Sequence, residues 1–266
     1  MRARFASESE AVRRSSLLDL ASSCFVGDLD EAADRIVEHA SDNTGGYICL
    51  CNVHVLTQAL HDPRLRLVLE GAAIRLPDGE PVAWLLRRLG LQRAKRIGGP
   101  DVFPHVIDRG REAELRHFFV GSTERNLSTL RSAIVDRYPG AEVVGLFAPP
   151  YADEPDVEEA LIEMVHAART HVVWVGLGAP KQELWIARAA PAFPGVTLIG
   201  VGAAFDFVGG AKRRAPAWMQ QVGLEWLHRM ASEPRRLTSR YVRSNSEFIG
   251  RSGVELAVRQ LRARRR

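Results

Sequence analysis

A chain of 266 residues that is 46% hydrophobic and 26% charged is long enough for one large α/β domain and too apolar for disorder. Its net charge of +4 is uneven: residues 212–266 carry 14 Lys/Arg against 4 Asp/Glu, and the rest of the chain is net acidic. No apolar run approaches the ~18 residues of a spanning helix, no apolar stretch follows Arg2 and Arg4 to make a signal peptide, and three cysteines suit a reducing compartment rather than a disulfide scaffold.

Residues 1–25 show no clear periodicity and read as a flexible segment. Asp28 is placed to cap a helix over Leu29 to Ala40, whose apolar side holds Ala32, Ile36 and Val37. Tyr47 to Cys51 reads as a strand, with Cys49 and Cys51 on one face as buried thiols. Asn52-Val53-His54 forms its carboxyl edge, and a helix runs on through Gln58. A further short helix precedes Ala73 to Leu76, which ends in the turn signal Pro77-Asp78-Gly79. Glu80 to Leu89 is helical, with Pro81 tolerated in the first turn.

The alternation then becomes regular. A helix through Ile107 leads to strand Arg116 to Val120, and Gly121-Ser122-Thr123 opens a helix to Tyr138. Strand Glu142 to Leu146, helix Asp156 to Ala168, strand His171 to Val175, helix Lys181 to Ala190 and strand Val196 to Val201 follow. This order implies an α/β, Rossmann-like fold: a mostly parallel sheet with helices on both faces over residues 26–210. From 211 to 266 the pattern is a basic helical appendage. One helix starts at Pro216 and runs through His228, one runs from Pro234 toward Phe248, and a short one spans Glu255 to Arg262.

Ligands of such sheets bind at the carboxyl edge of the strands, so the polar residues there are the candidates. Asp78 is either a plain turn residue or a carboxylate able to take a proton from an attacking hydroxyl. Asn52 suits sugar hydroxyls, and His54 is either a titrating group or a packing residue. Arg96, ahead of Gly98-Gly99, is a surface charge or a diphosphate ligand. After Pro180, Gln182 can bond a substrate hydroxyl, while Glu183 complements the helix dipole. Asp206 contacts a ribose or uracil, or caps local structure.

Arg214, Arg229, Arg236 and Arg240 recur along the appendage with Trp218 and Trp226. Trp218, Val222 and Trp226 at i+4 spacing share a face, which either packs on the domain or lies at a membrane surface. Gly176-Leu177-Gly178 and Gly200-Val201-Gly202 lack the third glycine of a dinucleotide fingerprint, where Lys181 and Phe205 stand. A nucleotide-dependent oxidoreductase is therefore a secondary reading, and a non-catalytic basic membrane scaffold a third. No nucleic-acid motif accompanies the charge.

The ordered set is specific. It comprises Asn52-x-His54, Pro77-Asp78-Gly79, Arg96-x-x-Gly99-x-Asp101, Gly176-Leu177-Gly178-x-Pro180-Lys181-Gln182-Glu183 and Gly200-Val201-Gly202 with Asp206. Arg214-Ala215-Pro216-x-Trp218 and Gly223-Leu224-Glu225-Trp226-x-x-Arg229 with Glu233-Pro234-x-Arg236 complete it. In this it resembles the WecG/TagA/CpsF family of bacterial glycosyltransferases, from about Ile48 to Phe248.

The resemblance implies an inverting transferase without metal or other cofactor. Such an enzyme moves a sugar from a UDP-sugar to a polyprenyl-diphosphate-linked saccharide at the cytoplasmic membrane face, bound peripherally; homo-oligomerisation that hides the apolar side of the appendage is a separate expectation. It implies Asp78 as general base and Asn52, Arg96 and Gln182 in the substrate pocket. The appendage arginines would close over the site and meet the membrane. Leu50 stands where many members carry Thr, which removes one polar contact. The chain has no Asp-x-Asp motif for a divalent ion, so arginines and N–H groups would hold the diphosphate.

Overall fold

The computed structural model describes residues 16–150, 152, 156–221 and 223–263. Six strands form one all-parallel sheet: β1 (Gly46–Cys51), β2 (Ile74–Pro77), β3 (Arg116–Gly121), β4 (Glu142–Phe147), β5 (Val172–Gly176) and β6 (Thr197–Gly200). Their order is β2-β1-β6-β5-β3-β4. The chain works outward from β1 to β2, crosses to β3 and β4, and returns through β5 to β6. Strands β1 and β6, first and last along the chain, thus lie side by side, with β6 and β5 at the centre of the sheet. This is not the 3-2-1-4-5-6 order of the dinucleotide-binding fold.

Period-two alternation decides which face each strand residue covers. Ile48 and Leu50 of β1, with Val172 and Trp174 of β5, face a core built by α2 (Leu29–Ser41), α6 (Gly99–Arg109) and α7 (Glu124–Arg137). Cys49 and Cys51 face the opposite layer, where α3 (Val53–Ala59), α4 (Pro63–Gly71) and α5 (Glu80–Arg88) pack. Val173 and Val175 meet α8 (Glu159–Ala167) and α9 (Lys181–Ala189) on that same side. The cysteines are buried free thiols. The short α10 (Ala204–Val208) follows β6.

Three differences from the sequence reading have physical causes. The segment read as flexible to residue 25 contains α1 (Leu17–Ser22), with residues 1–15 outside the described ones. Ser16 and Asp19 form a reciprocal capping box, and Leu17, Leu18, Leu20 and Ala21 are buried. Its partner is the far end of the chain: Glu255 accepts from the backbone N–H groups of Leu17 and Leu18 at 3.2 and 3.0 Å.

Second, the helix expected from Pro216 to His228 is two helices, α11 (Ala217–Gln221) and α12 (Glu225–Ser232). Gly223 breaks them with φ +75°, where a Cβ would sit 2.8 Å from that of Glu80. Trp218 is therefore 60% exposed while Trp226 turns to Tyr241, with ring centroids 6.0 Å apart. The two indoles share no helix face, and Val222 lies outside the described residues.

Third, the segments expected to stop at Phe248 and restart at Glu255 are one helix, α13 (Pro234–Ala263). Leu237, Ser244, Phe248 and Ser252 are buried along one stripe of it. That packing carries the helix through Gly250 and Gly253, where nothing lies within 4 Å of an added Cβ. Gly250→Ala and Gly253→Ala should each raise stability by about 0.5–1 kcal/mol, read as a higher denaturation midpoint. A lowered midpoint would mean that the helix bends at these positions.

Candidate active site

Among the described residues Ser16, Asp28, Asn52, Asp62 and Thr123 each cap a helix by accepting from a first-turn N–H. Helices α5, α6 and α9 begin instead at Gly79, Gly98 and Pro180, without any such bond. Their N-terminal turns converge with the carboxyl ends of β1, β3, β5 and β6 around a cavity of about 390 Å³. Uncapped first-turn amides and the positive end of each helix dipole favour an anion there. The volume lies within the range of small-ligand sites.

Asp78 lies on the wall of this cavity. Its backbone N–H donates to the Cys51 carbonyl at 3.1 Å, which extends the β1–β2 ladder by one residue. Gly79, at φ +94°, then turns the chain into α5. Asn52 Oδ1 accepts from the Val55 N–H at 3.0 Å as the cap of α3, so its Nδ2 is left to donate to Asp78 Oδ2 at 3.2 Å. Both ends of the Asn52 amide are thus committed, and this residue orients the carboxylate. Burial pushes the Asp78 carboxyl above its ordinary 3.8; the Asn52 bond and the charges of Arg229 and Arg96 pull the other way without cancelling the effect.

The expected arginines divide into two groups. Arg96 donates to Glu225 and to Asp101, both at 3.0 Å. Arg214 donates to Asp101 at 2.5 and 2.9 Å and to Glu225 at 2.9 and 3.3 Å. Two guanidinium and two carboxylate groups therefore close a part-buried cluster that ties α6 to α12. Burial works against the Arg214 charge, but the bonds to Asp101 and Glu225 more than reverse it and hold its pKa above the ordinary arginine value. Arg96 still reaches the cavity wall, whereas Arg214 braces the structure behind it.

Arg229 and Arg240 line the cavity directly. The Arg229 guanidinium carbon stands 5.7 Å from the Phe207 ring centroid. The side chain of Arg236 lies outside the described ones. His54 also lines the cavity, with Nδ1 3.1 Å from Ser244 Oγ of α13. Burial, then the charge of Arg240, pushes its imidazole down to about 4, so it is neutral at physiological pH and cannot serve as a cation there.

Asp206 lines the cavity, and Lys212 Nζ lies 2.9 Å from its Oδ2 and 3.0 Å from Glu233 Oε1. The Gly178 N–H donates to Gln182 Oε1 at 3.2 Å. Glu183, whose sequence position suits the helix dipole, is only 1% exposed and bonded to Gln182. Tyr241, Trp226, Ser122 and Glu225 also build the site. Only Glu225 and Trp226 had a sequence signal, within the Gly-Leu-Glu-Trp run. Among the described residues no cluster of three or more His, Cys, Asp or Glu could hold a metal ion, and no helix is long and apolar enough to cross a membrane.

One curated protein, named N-acetylglucosaminyldiphosphoundecaprenol N-acetyl-beta-D-mannosaminyltransferase from Bacillus spizizenii, is 29% identical over 198 residues, covering 74% of this chain and 76% of its own. One of the same name from Bacillus subtilis is 30% identical over 205 residues, covering 76% and 78%. The model of the glycosyl transferase WecG/TagA/CpsF family matches residues 18–266, from the first buried helix to the basic end, and the chain belongs to that family.

Proposed function

We propose that this protein is an inverting, metal-independent glycosyltransferase that moves a sugar from a UDP-sugar to a saccharide carried on a polyprenyl diphosphate. The observation that carries the reading is Asp78, held by Asn52 on the wall of a cavity that Arg229 and Arg240 also line. A single displacement at the anomeric carbon needs a base on the acceptor side and positive charge at the leaving diphosphate. Asp78 supplies the first. Arg229 and Arg240 supply the second. Gln182 and Asp206 are the contacts for donor hydroxyls.

The names of the relatives favour N-acetylmannosamine as the donor sugar and N-acetylglucosaminyl-diphospho-polyprenol as the acceptor. Glucose or a uronic acid are the other donors to try. The exposed apolar side chains of α13, among them Val242, Ile249, Val254 and Leu261, stand beside arginines and support peripheral binding at an anionic membrane face. An oxidoreductase finds less support, because the first strand–helix turn carries Asn52 and Val53 where a dinucleotide site needs glycines.

The test is the full-length protein with a panel of UDP-sugars, a short-chain polyprenyl-diphosphate N-acetylglucosamine, and chelator in every reaction. UDP release with a product heavier by one sugar is expected, with the new bond of opposite anomeric configuration to the donor. Absence of product from every donor, or a requirement for added divalent metal, would overturn the proposal.

A further inference from the structure

The buried carboxyl of Glu183 has no evident part in the transfer itself. It lies in the first turn of α9, its Oε1 accepts from Gln182 Nε2 at 2.8 Å, and its Oε2 is buried without a partner. Among the described residues it forms no ion pair. An apolar side chain would fill the same space without the penalty of desolvating a carboxyl. The reason for an acid here is found in its neighbour.

Gln182 lines the cavity, and its amide crosses the end of β6, where a Cβ on Gly200 would lie 3.0 Å from Nε2. A primary amide has two ends that can exchange by a half-turn. The Gly178 N–H requires an oxygen at one end, at 3.2 Å, and the Glu183 carboxyl requires a donor at the other. A flip would set N–H against N–H and oxygen against oxygen. Only one orientation satisfies both, and in it the second Nε2 hydrogen remains for a ligand.

We propose that Glu183 is a positioning residue that locks the Gln182 amide with its nitrogen available as a donor to the donor sugar. The inference rests on the glycosyltransferase reading of this site but has a readout independent of it. Burial pushes the Glu183 carboxyl up to about 7; the Gln182 bond lowers it and the charge of Asp78 adds to the rise. The other titratable neighbour is the Cys49 thiol on β1, which burial holds well above its ordinary value and so neutral. Helix α9 also packs on α4, whose buried Arg66 donates to the Ala59 carbonyl.

The test uses Glu183→Leu, Glu183→Gln and Gln182→Ala, alone and combined, in the full chain. Glu183→Leu should lower kcat/KM for the sugar donor by about 10- to 100-fold without lowering the melting temperature. Glu183→Gln, which can still accept the bond, should stay within about threefold of wild type. In the Gln182→Ala background, Glu183→Leu should cost nothing further.

Independently of turnover, the side-chain amide resonances of Gln182, assigned by their loss in Gln182→Ala, should shift with pH around a midpoint of about 7 in wild type and not in Glu183→Gln. Additive losses in the double variant, or a Gln182 amide blind to pH in wild type, would overturn the proposal. A wild type that transfers no sugar but shows the titration would instead overturn only the assigned activity.

Discussion

Replacing Asp78 with asparagine should lower sugar transfer by about 10²- to 10⁴-fold, the usual worth of a general base, while the protein stays folded. The substitution keeps the shape and leaves an oxygen for Asn52 Nδ2, now 3.2 Å from Asp78 Oδ2. It removes only the capacity to accept a proton. Burial has raised this carboxyl above its ordinary 3.8, so the folded state holds its proton more tightly than the unfolded chain does. Stability from that source is present at low pH and is lost as pH rises through the folded value.

Asparagine escapes that loss, and Asp78→Asn should melt no lower than wild type at neutral pH. Wild-type activity should rise with pH along a limb displaced upward from ordinary aspartate, since only the ionised form accepts a proton. Initial rates across pH and thermal melts of both proteins check the pair of statements. Undiminished turnover in Asp78→Asn would remove this residue as the base.

The second large effect is expected at Arg214. Its guanidinium makes four bonds to Asp101 and Glu225, with side chains 21%, 22% and 18% exposed. Arg214→Ala leaves two carboxylates facing each other with Arg96 alone between them. Removing one partner of a buried ion pair costs about 3–5 kcal/mol, and the residual exposure here argues for about 3. These bonds hold α12, and with it Trp226 and Arg229, against the cavity.

Undocking of the cover by that amount lowers kcat/KM by up to about 10²-fold, accompanied by new trypsin cleavage between residues 211 and 233. Arg214→Lys should rescue little, because an ammonium cannot bridge two carboxylates with a planar fork. A variant as active and as protease-resistant as wild type would show that the cluster does not hold the cover. Point substitution is the cleaner experiment than deletion beyond Gly210, since deletion would also strip Phe248 from the core and Glu255 from α1.

Much of this was legible in the sequence. Strand β5 is visible as the run Val172 to Val175, and Asp78 and Asn52 are recognisable as edge residues because a parallel sheet exposes the ends of its strands. What local pattern could not show is pairing across distance. Asp101 and Glu225 stand in the sequence only as members of the motif set, until the fold brings Arg96 to Glu225 across 129 residues and Arg214 to Asp101 across 113. Two glycines suggest a break in α13 because propensity disfavours them, and a buried stripe on the same helix overrules it. Glu183 is charged in composition but interior in position, and only burial distinguishes the two.

The contact between Glu255 and the start of α1 spans 238 residues. On a translating ribosome, at ~5–20 residues per second, α1 therefore leaves the exit tunnel on the order of tens of seconds before its seat has been made. Until almost the whole polypeptide is out it can pack only on early elements such as α3 and α5, and the side that α13 covers stays open to chaperones or to neighbouring nascent chains. Completion of its docking waits for this long-range contact, and an amide-exchange pulse early in refolding should label its backbone while β1, β5 and β6 are already protected.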